Sequence, residues 1–266
     1  MALRLSPSDL PDHLLSKRQH PLRTDMLFPS NIIDTISDCV SWADRLTKSD
    51  LIAGVIVTEN DYTSNFTAAL RREIAARSIP NLKARIQVLN PSAERGNGVD
   101  GCIIFSNTKE FKAGMFEAKW PRLTTNRNSW DSIQRSSGIS HFDEQLKRQT
   151  VAARSGIAVW EMFYSEHDFG EQPKFMPEHG SACVSHERAY AASKKRVDKG
   201  KPWSDEELEA LLLGESLDTA TVVRQMCECK RGTAMPEQNY ATALSNFGPP
   251  KEALVLSYPK AGQTSR

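Results

Sequence analysis

No apolar run in the chain approaches ~20 residues, the length a membrane-spanning helix needs, and the N-terminus lacks the basic-then-apolar pattern of a secretory signal. A cytoplasmic chain with no membrane partner is expected. Charge of one sign is also missing, because 34 Lys and Arg stand against 33 Asp and Glu. The formal net charge of +1 gives no global basic field for nucleic acid, though acidic surface elsewhere can offset a positive cleft. Cysteines are few, odd in number and scattered: Cys39, Cys102, Cys183, Cys227 and Cys229. That usage fits reduced thiols rather than a disulfide framework. Zinc is poorly served, since Cys227-Glu228-Cys229 is a C-x-C pair where structural zinc uses C-x₂₋₄-C. No G-x-x-x-x-G-K-S/T loop occurs, so nucleotide hydrolysis would have to come from a separate chain.

What remains is a chain of 266 residues with the apolar and charged fractions of a soluble globular protein. That length carries one good core plus a smaller appendage, or two small domains. Residues 1–30 hold Pro7, Pro11, Pro21 and Pro29 and read as an irregular arm. Asn31 to Leu46 keeps helical apolar spacing, and Leu51 to Val57 fits a strand or the buried start of a helix. In Thr58 to Arg77 the residues Tyr62, Phe66, Ala69, Leu70 and Ile74 fall on one helical stripe. Glu59 lies one turn before Tyr62 on nearly that face. An inward carboxylate needs a cation or metal to meet it; the plainer reading is an N-terminal acid favoured by the helix dipole.

Ala84 to Leu89 alternates as a strand, and a loop rich in turn formers delivers the chain to Asp100. The apolar run Cys102-Ile103-Ile104-Phe105 follows, then a polar break, then Ala113-Gly114-Met115-Phe116 ending in Glu117-Ala118-Lys119. Two such runs around a turn predict paired strands. On a strand Glu117 and Lys119 face the same side. Pairing brings Asp100 to Glu117, with an ammonium beside them. Two carboxylates collect Mg²⁺, and the lysine holds or polarises a water next to it. That is the chemistry of phosphodiester hydrolysis.

Arg122, Arg127 and Arg135 stand among Asn, Ser and Thr, as a phosphate-binding loop or as solvated surface. His141 to Arg154 predicts a second helix capped by Ser140, and Ile157 to Tyr164 a strong strand. Ala182 to Arg196 reads as a basic-ended helix. Trp203 to Glu207 opens another helix through the capping box Ser204 to Glu207. The end, from Gly232, reads as frayed. The expected organisation is an N-terminal arm and helix (1–46), an α/β core (47–166) and a helical C-terminal region (167–266).

Helix, three strands, helix, strand, with these residues in place, resembles the PD-(D/E)xK superfamily of restriction-endonuclease-like nucleases. The resemblance covers roughly Leu51 to Tyr164. It rests on Glu59 in TENDYTSNF, Asp100 in GNGVDG, Glu117 and Lys119 in FEAKW, and Gln145 in FDEQLKRQ. Val99 stands where the name-giving proline would. Glu110-Phe111-Lys112 and Glu228-Cys229-Lys230 fit the same triplet, but Glu110 falls in the turn and Glu228 in a helix. The resemblance implies a mixed sheet flanked by helices, and Mg²⁺ (Mn²⁺ substituting) held by Asp100, Glu117 and the Ala118 carbonyl, with Glu59 completing the shell or receiving a second ion. It further implies that Gln145 positions water or backbone. Charge alone then suggests that Lys119 orients the attacking water, and that Arg148 either reaches a phosphate or is an ordinary residue of a capped surface helix. The implied activity is a nuclease, on DNA more than RNA, in bacterial defence or recombination. A helicase or ATPase subunit, or a second copy of the chain, is the implied partner. Two other readings stand beside it: a non-catalytic nucleic-acid-binding subunit that retains the fold, and a C-terminal third that is itself the DNA-contacting part.

Overall fold

A computed structural model describes residues 26–89, 98–122, 128–166 and 179–259. Two helices come first, α1 (Ser30–Ile52) and α2 (Glu59–Ala76), followed by β1 (Lys83–Val88), β2 (Gly101–Ser106) and β3 (Glu110–Lys119). Next are α3 (His141–Arg154), β4 (Ala158–Phe163), β5 (Ala182–Ser185) and α4 (His186–Lys195). The remainder is α5 (Asp205–Glu215), β6 (Leu217–Asp218), α6 (Thr219–Cys227), β7 (Met235–Pro236), α7 (Tyr240–Leu244) and β8 (Glu252–Ser257). The class is α/β, as expected. One mixed, open sheet runs β1-β8-β2-β3-β4-β5-β6, with β7 paired to β3. No helix among the described residues is long and apolar enough to cross a membrane.

The central strands are covered on both faces, and the period of two sorts their side chains. Ile103, Phe105, Phe116, Trp160, Leu254 and Leu256 pack with residues of α1, α2 and α6. Their neighbours Cys102, Ile104, Met115, Val159 and Val255 pack on the opposite face with Ala152, Tyr240 and Leu244. Beyond them Phe142, Leu146 and Phe163 join Trp130, Trp203 and Leu208. The antiparallel β2–β3 hairpin and the parallel β3–β4 pair joined through α3 therefore set Glu117 and Lys119 on the face that α3 covers.

Several expectations are corrected. Leu51 to Val57 is neither a strand nor a new helix. Leu51 and Ile52 close α1, and Val55 and Val57 are exposed in the turn after it. Ala182 to Arg196 divides at Ser185: ACVS pairs antiparallel with β4, and the Ser185 hydroxyl then accepts from the Arg188 amide to cap α4. The helical C-terminal appendage is no appendage. Its helices exist, but β5, β6, β7 and β8 from the same region belong to the sheet. β8 is the sharpest departure from the frayed end, lying parallel to β2 and antiparallel to β1. Ala253-Leu254-Val255-Leu256 is fully buried because its side chains feed both apolar clusters, so the segment is stable only between its partners.

A buried carboxylate adds to this tie. Asp44 on α1 accepts from Tyr62 Oη at 2.8 Å, from the Ser181 amide and hydroxyl at 2.7 Å each, and from Thr219 Oγ1 at 2.9 Å. Four donors satisfy a charge that burial alone would expel. The ring of Tyr62 stacks on Tyr164 with centroids 3.6 Å apart, backing the end of the sheet where the acids lie.

Candidate active site

Asp100 stands one residue before β2, and its amide donates to the Phe116 carbonyl at 2.8 Å, extending the hairpin. Gly101 has no alternative here, since a Cβ would lie 2.2 Å from the Phe116 ring. The hairpin register swings the Asp100 carboxylate across to β3, where Oδ2 accepts from the Ala118 amide at 2.9 Å. Glu117 and Lys119 share one strand face and meet directly, Nζ to Oε1 at 2.7 Å, both almost fully buried. From α3, Gln145 Nε2 donates to the same Glu117 oxygen. Glu59, the first residue of α2, reaches over the sheet end, and its Oε1 accepts from the Trp120 amide at 3.1 Å. The capping box of Thr58 and Asp61 frees Glu59 from the capping task.

Five sequence-predicted residues, Glu59, Asp100, Glu117, Lys119 and Gln145, thus converge on the last residues of β3. Arg122 joins them at the rim, exposed, its guanidinium 4.2 Å from the centroid of the Trp120 ring. Arg148 lies one turn after Gln145 on α3, half-buried, with an Nε that has no hydrogen-bond partner. Arg135 is exposed in the turn before α3. Arg127 lies outside the described residues.

The electrostatics are lopsided. Burial pushes the Glu117 carboxyl up to about 7; Lys119 opposes this, and Asp100 and Glu59 reinforce it. Burial works to strip Lys119 of its proton, but Glu117, Glu59 and Asp100 outweigh it and hold the ammonium above its usual range. One ammonium faces more than one carboxylate, so negative charge is left under-compensated.

Among the described residues, no three His, Cys, Asp or Glu side chains already form a metal-ligating group. Each acid leans instead on a nearby donor: Asp100 on the Ala118 amide, Glu59 on the Trp120 amide, Glu117 on Lys119 and Gln145. The donor set nonetheless fits a hard divalent cation. It consists of carboxylate oxygens, and Gln145 Oε1 is a further buried acceptor with no hydrogen-bond partner.

Three participants escaped the sequence reading. Glu161 on β4 is the register partner of Glu117 and is wholly buried. Burial first, then Glu117, lifts its carboxyl well above the usual range, and its Oε1 has no hydrogen-bond partner. Its one sequence signal is a lone acid inside the apolar strand AVWEMF. Tyr164 closes the same sheet end with an unpartnered, buried hydroxyl, raised in pKa by burial and then by Glu59, Asp100 and Glu117. His141, the first residue of α3, is held below the usual imidazole range by burial and then by the charges of Lys119 and Arg148.

The chain matches no protein-family model, no curated protein and no solved structure.

Proposed function

We propose that this protein is a Mg²⁺-dependent nuclease of the PD-(D/E)xK, restriction-endonuclease-like type, hydrolysing phosphodiester bonds in DNA. One observation carries the reading: acids delivered by a helix (Glu59), a strand start (Asp100) and a strand end (Glu117) meet beside the buried ammonium of Lys119. Such a group is costly to bury and serves no packing purpose. The element order from α2 to β4 and the mixed sheet are consistent with this superfamily.

Asp100, Glu117, Glu59 and the Ala118 carbonyl would hold the ion. Bound there, Mg²⁺ would act as a Lewis acid on the phosphate and lower the pKa of a coordinated water, and Mn²⁺ would substitute. Lys119 orients the attacking water and offsets charge developing on the phosphate. Gln145 steers one Glu117 oxygen through its amide and leaves the other free. Arg122 and Arg148 carry charge suited to the phosphate backbone on either side. A cytoplasmic role in defence or recombination, beside a separate helicase or ATPase or as a homodimer, accords with this activity.

The closure of Glu117 onto Lys119 and Gln145 favours one rival, a non-catalytic nucleic-acid-binding subunit that retains the fold. Incubation with supercoiled plasmid, linear duplex DNA and single-stranded RNA decides between them. The nuclease converts plasmid to nicked or linear product with Mg²⁺ and leaves it intact with chelator. Binding without cleavage in Mg²⁺ and Mn²⁺ would establish the rival, and cleavage confined to RNA would change the substrate.

A further inference from the structure

Glu117 sits within a strand and Glu59 within a helix, but Asp100 stands just ahead of β2, tied to β3 at residue 100 itself, and the chain leading to it has a second attachment at Gly98. Gln149 on α3 supplies it. This buried side chain donates from Nε2 to the Gly98 carbonyl at 2.5 Å and reaches Glu161 Oε2 at 3.4 Å. The segment lies hard against α3 there. Gly98 has φ +71, and a Cβ on it would stand 3.2 Å from the Gln145 Cα.

The Gly98 carbonyl can only accept, so it fixes which way the Gln149 amide points, and Oε1 looks to the other side. There it meets His186 Nδ1 at 3.0 Å. Two acceptors would repel at that distance, so Nδ1 carries the proton, and Nε2 faces the Thr150 hydroxyl at 3.4 Å. His186 is 2% exposed and opens α4 directly after the β5 pairing, which makes it a rigid base for the chain of contacts.

We propose that His186 and Gln149 are positioning residues for Asp100: His186 fixes the Gln149 amide, and Gln149 pins the Gly98 carbonyl two residues before the acid. The meaning of Asp100 rests on the nuclease reading, but its placement can be measured without any cleavage. Asp100 Oδ2 covers the Ala118 amide, so hydrogen exchange at Ala118 reports where the carboxylate sits.

The test compares Gln149→Leu, His186→Leu and His186→Asn, in the last of which the Asn amide nitrogen replaces Nδ1 as donor. In both Leu variants Ala118 exchange accelerates by about tenfold, while strand-centre amides such as Ile103 and Met115 keep wild-type protection. His186→Asn restores wild-type exchange at Ala118. In cleavage assays the Leu variants need more Mg²⁺ to reach half-maximal rate, again with rescue by Asn. Unchanged Ala118 exchange in both Leu variants overturns the proposal. So does loss of protection throughout β2 and β3, which would mean a purely structural role. If the exchange pattern appears but the wild-type protein cleaves nothing, the positioning stands and the nuclease reading fails.

Discussion

Replacing Lys119 with Met lowers plasmid cleavage in saturating Mg²⁺ by about 10²–10³-fold, the range seen when one preorganised stabiliser of transition-state charge is removed. Methionine keeps the length and apolar stem of the lysine, so packing against the sheet survives and the charge alone is lost. The same substitution leaves Glu117 buried without its cation. Breaking one side of a buried pair costs about 3–5 kcal/mol, and here the cost depends on pH. Lys119 is the chief influence holding the Glu117 carboxyl down, so its loss lifts that group further above about 7. Urea unfolding therefore shows a large deficit at pH 8 and a smaller one at pH 5, where Glu117 is protonated in the folded state of both proteins. Undiminished cleavage would remove the lysine from the mechanism.

Glu117→Gln produces the opposite pairing of effects: the metal-free protein becomes more stable while activity disappears. The folded-state value of about 7 lies above the ordinary carboxylate value of 4.5, so between those limits the folded protein binds the proton more tightly than the unfolded chain. Stability contributed at low pH is thus lost as pH rises from 4.5 to 7 and stays lost above it. A shift of that size corresponds to about 3 kcal/mol. Glutamine mimics the neutral acid, so the variant gains roughly that amount at pH 8 and nothing at pH 4. Added Mg²⁺ stabilises the wild type and not the variant, because only a folded protein with an intact site gains by mass action. Parallel pH profiles for the two proteins would show that Glu117 is not charged under strain.

The parts of this protein that were legible in its sequence are those that local chemistry specifies. α3 occupies His141–Arg154 because a serine cap and a helical apolar stripe agree, and the capping box at Ser204 and Glu207 opens α5 for the same reason. The hairpin that sets Asp100 against β3 needs only two apolar runs and a turn. β8 could not be read, because its partners β1 and β2 lie far back in the sequence, before α3, and a four-residue apolar run says nothing about where it pairs. β5 failed similarly, as a four-residue strand held between β4 and the two-residue β6, neither of which its own sequence announces. Glu161, a lone acid in an apolar strand, and His186 took on meaning only through register. The parallel pairing of β3 with β4 sets one acid beside another, and α4 then brings the imidazole to Gln149.

If the acids at the end of β3 share one divalent ion, calorimetric titration with Mn²⁺ detects it without any substrate. Asp100→Asn is the informative comparison, because the amide oxygen can still accept from Ala118 and the hairpin is spared. One ion is expected to bind the wild-type protein, with an affinity about 100-fold weaker in the variant. Equal affinity in the two proteins, or no binding in the wild type, would contradict it.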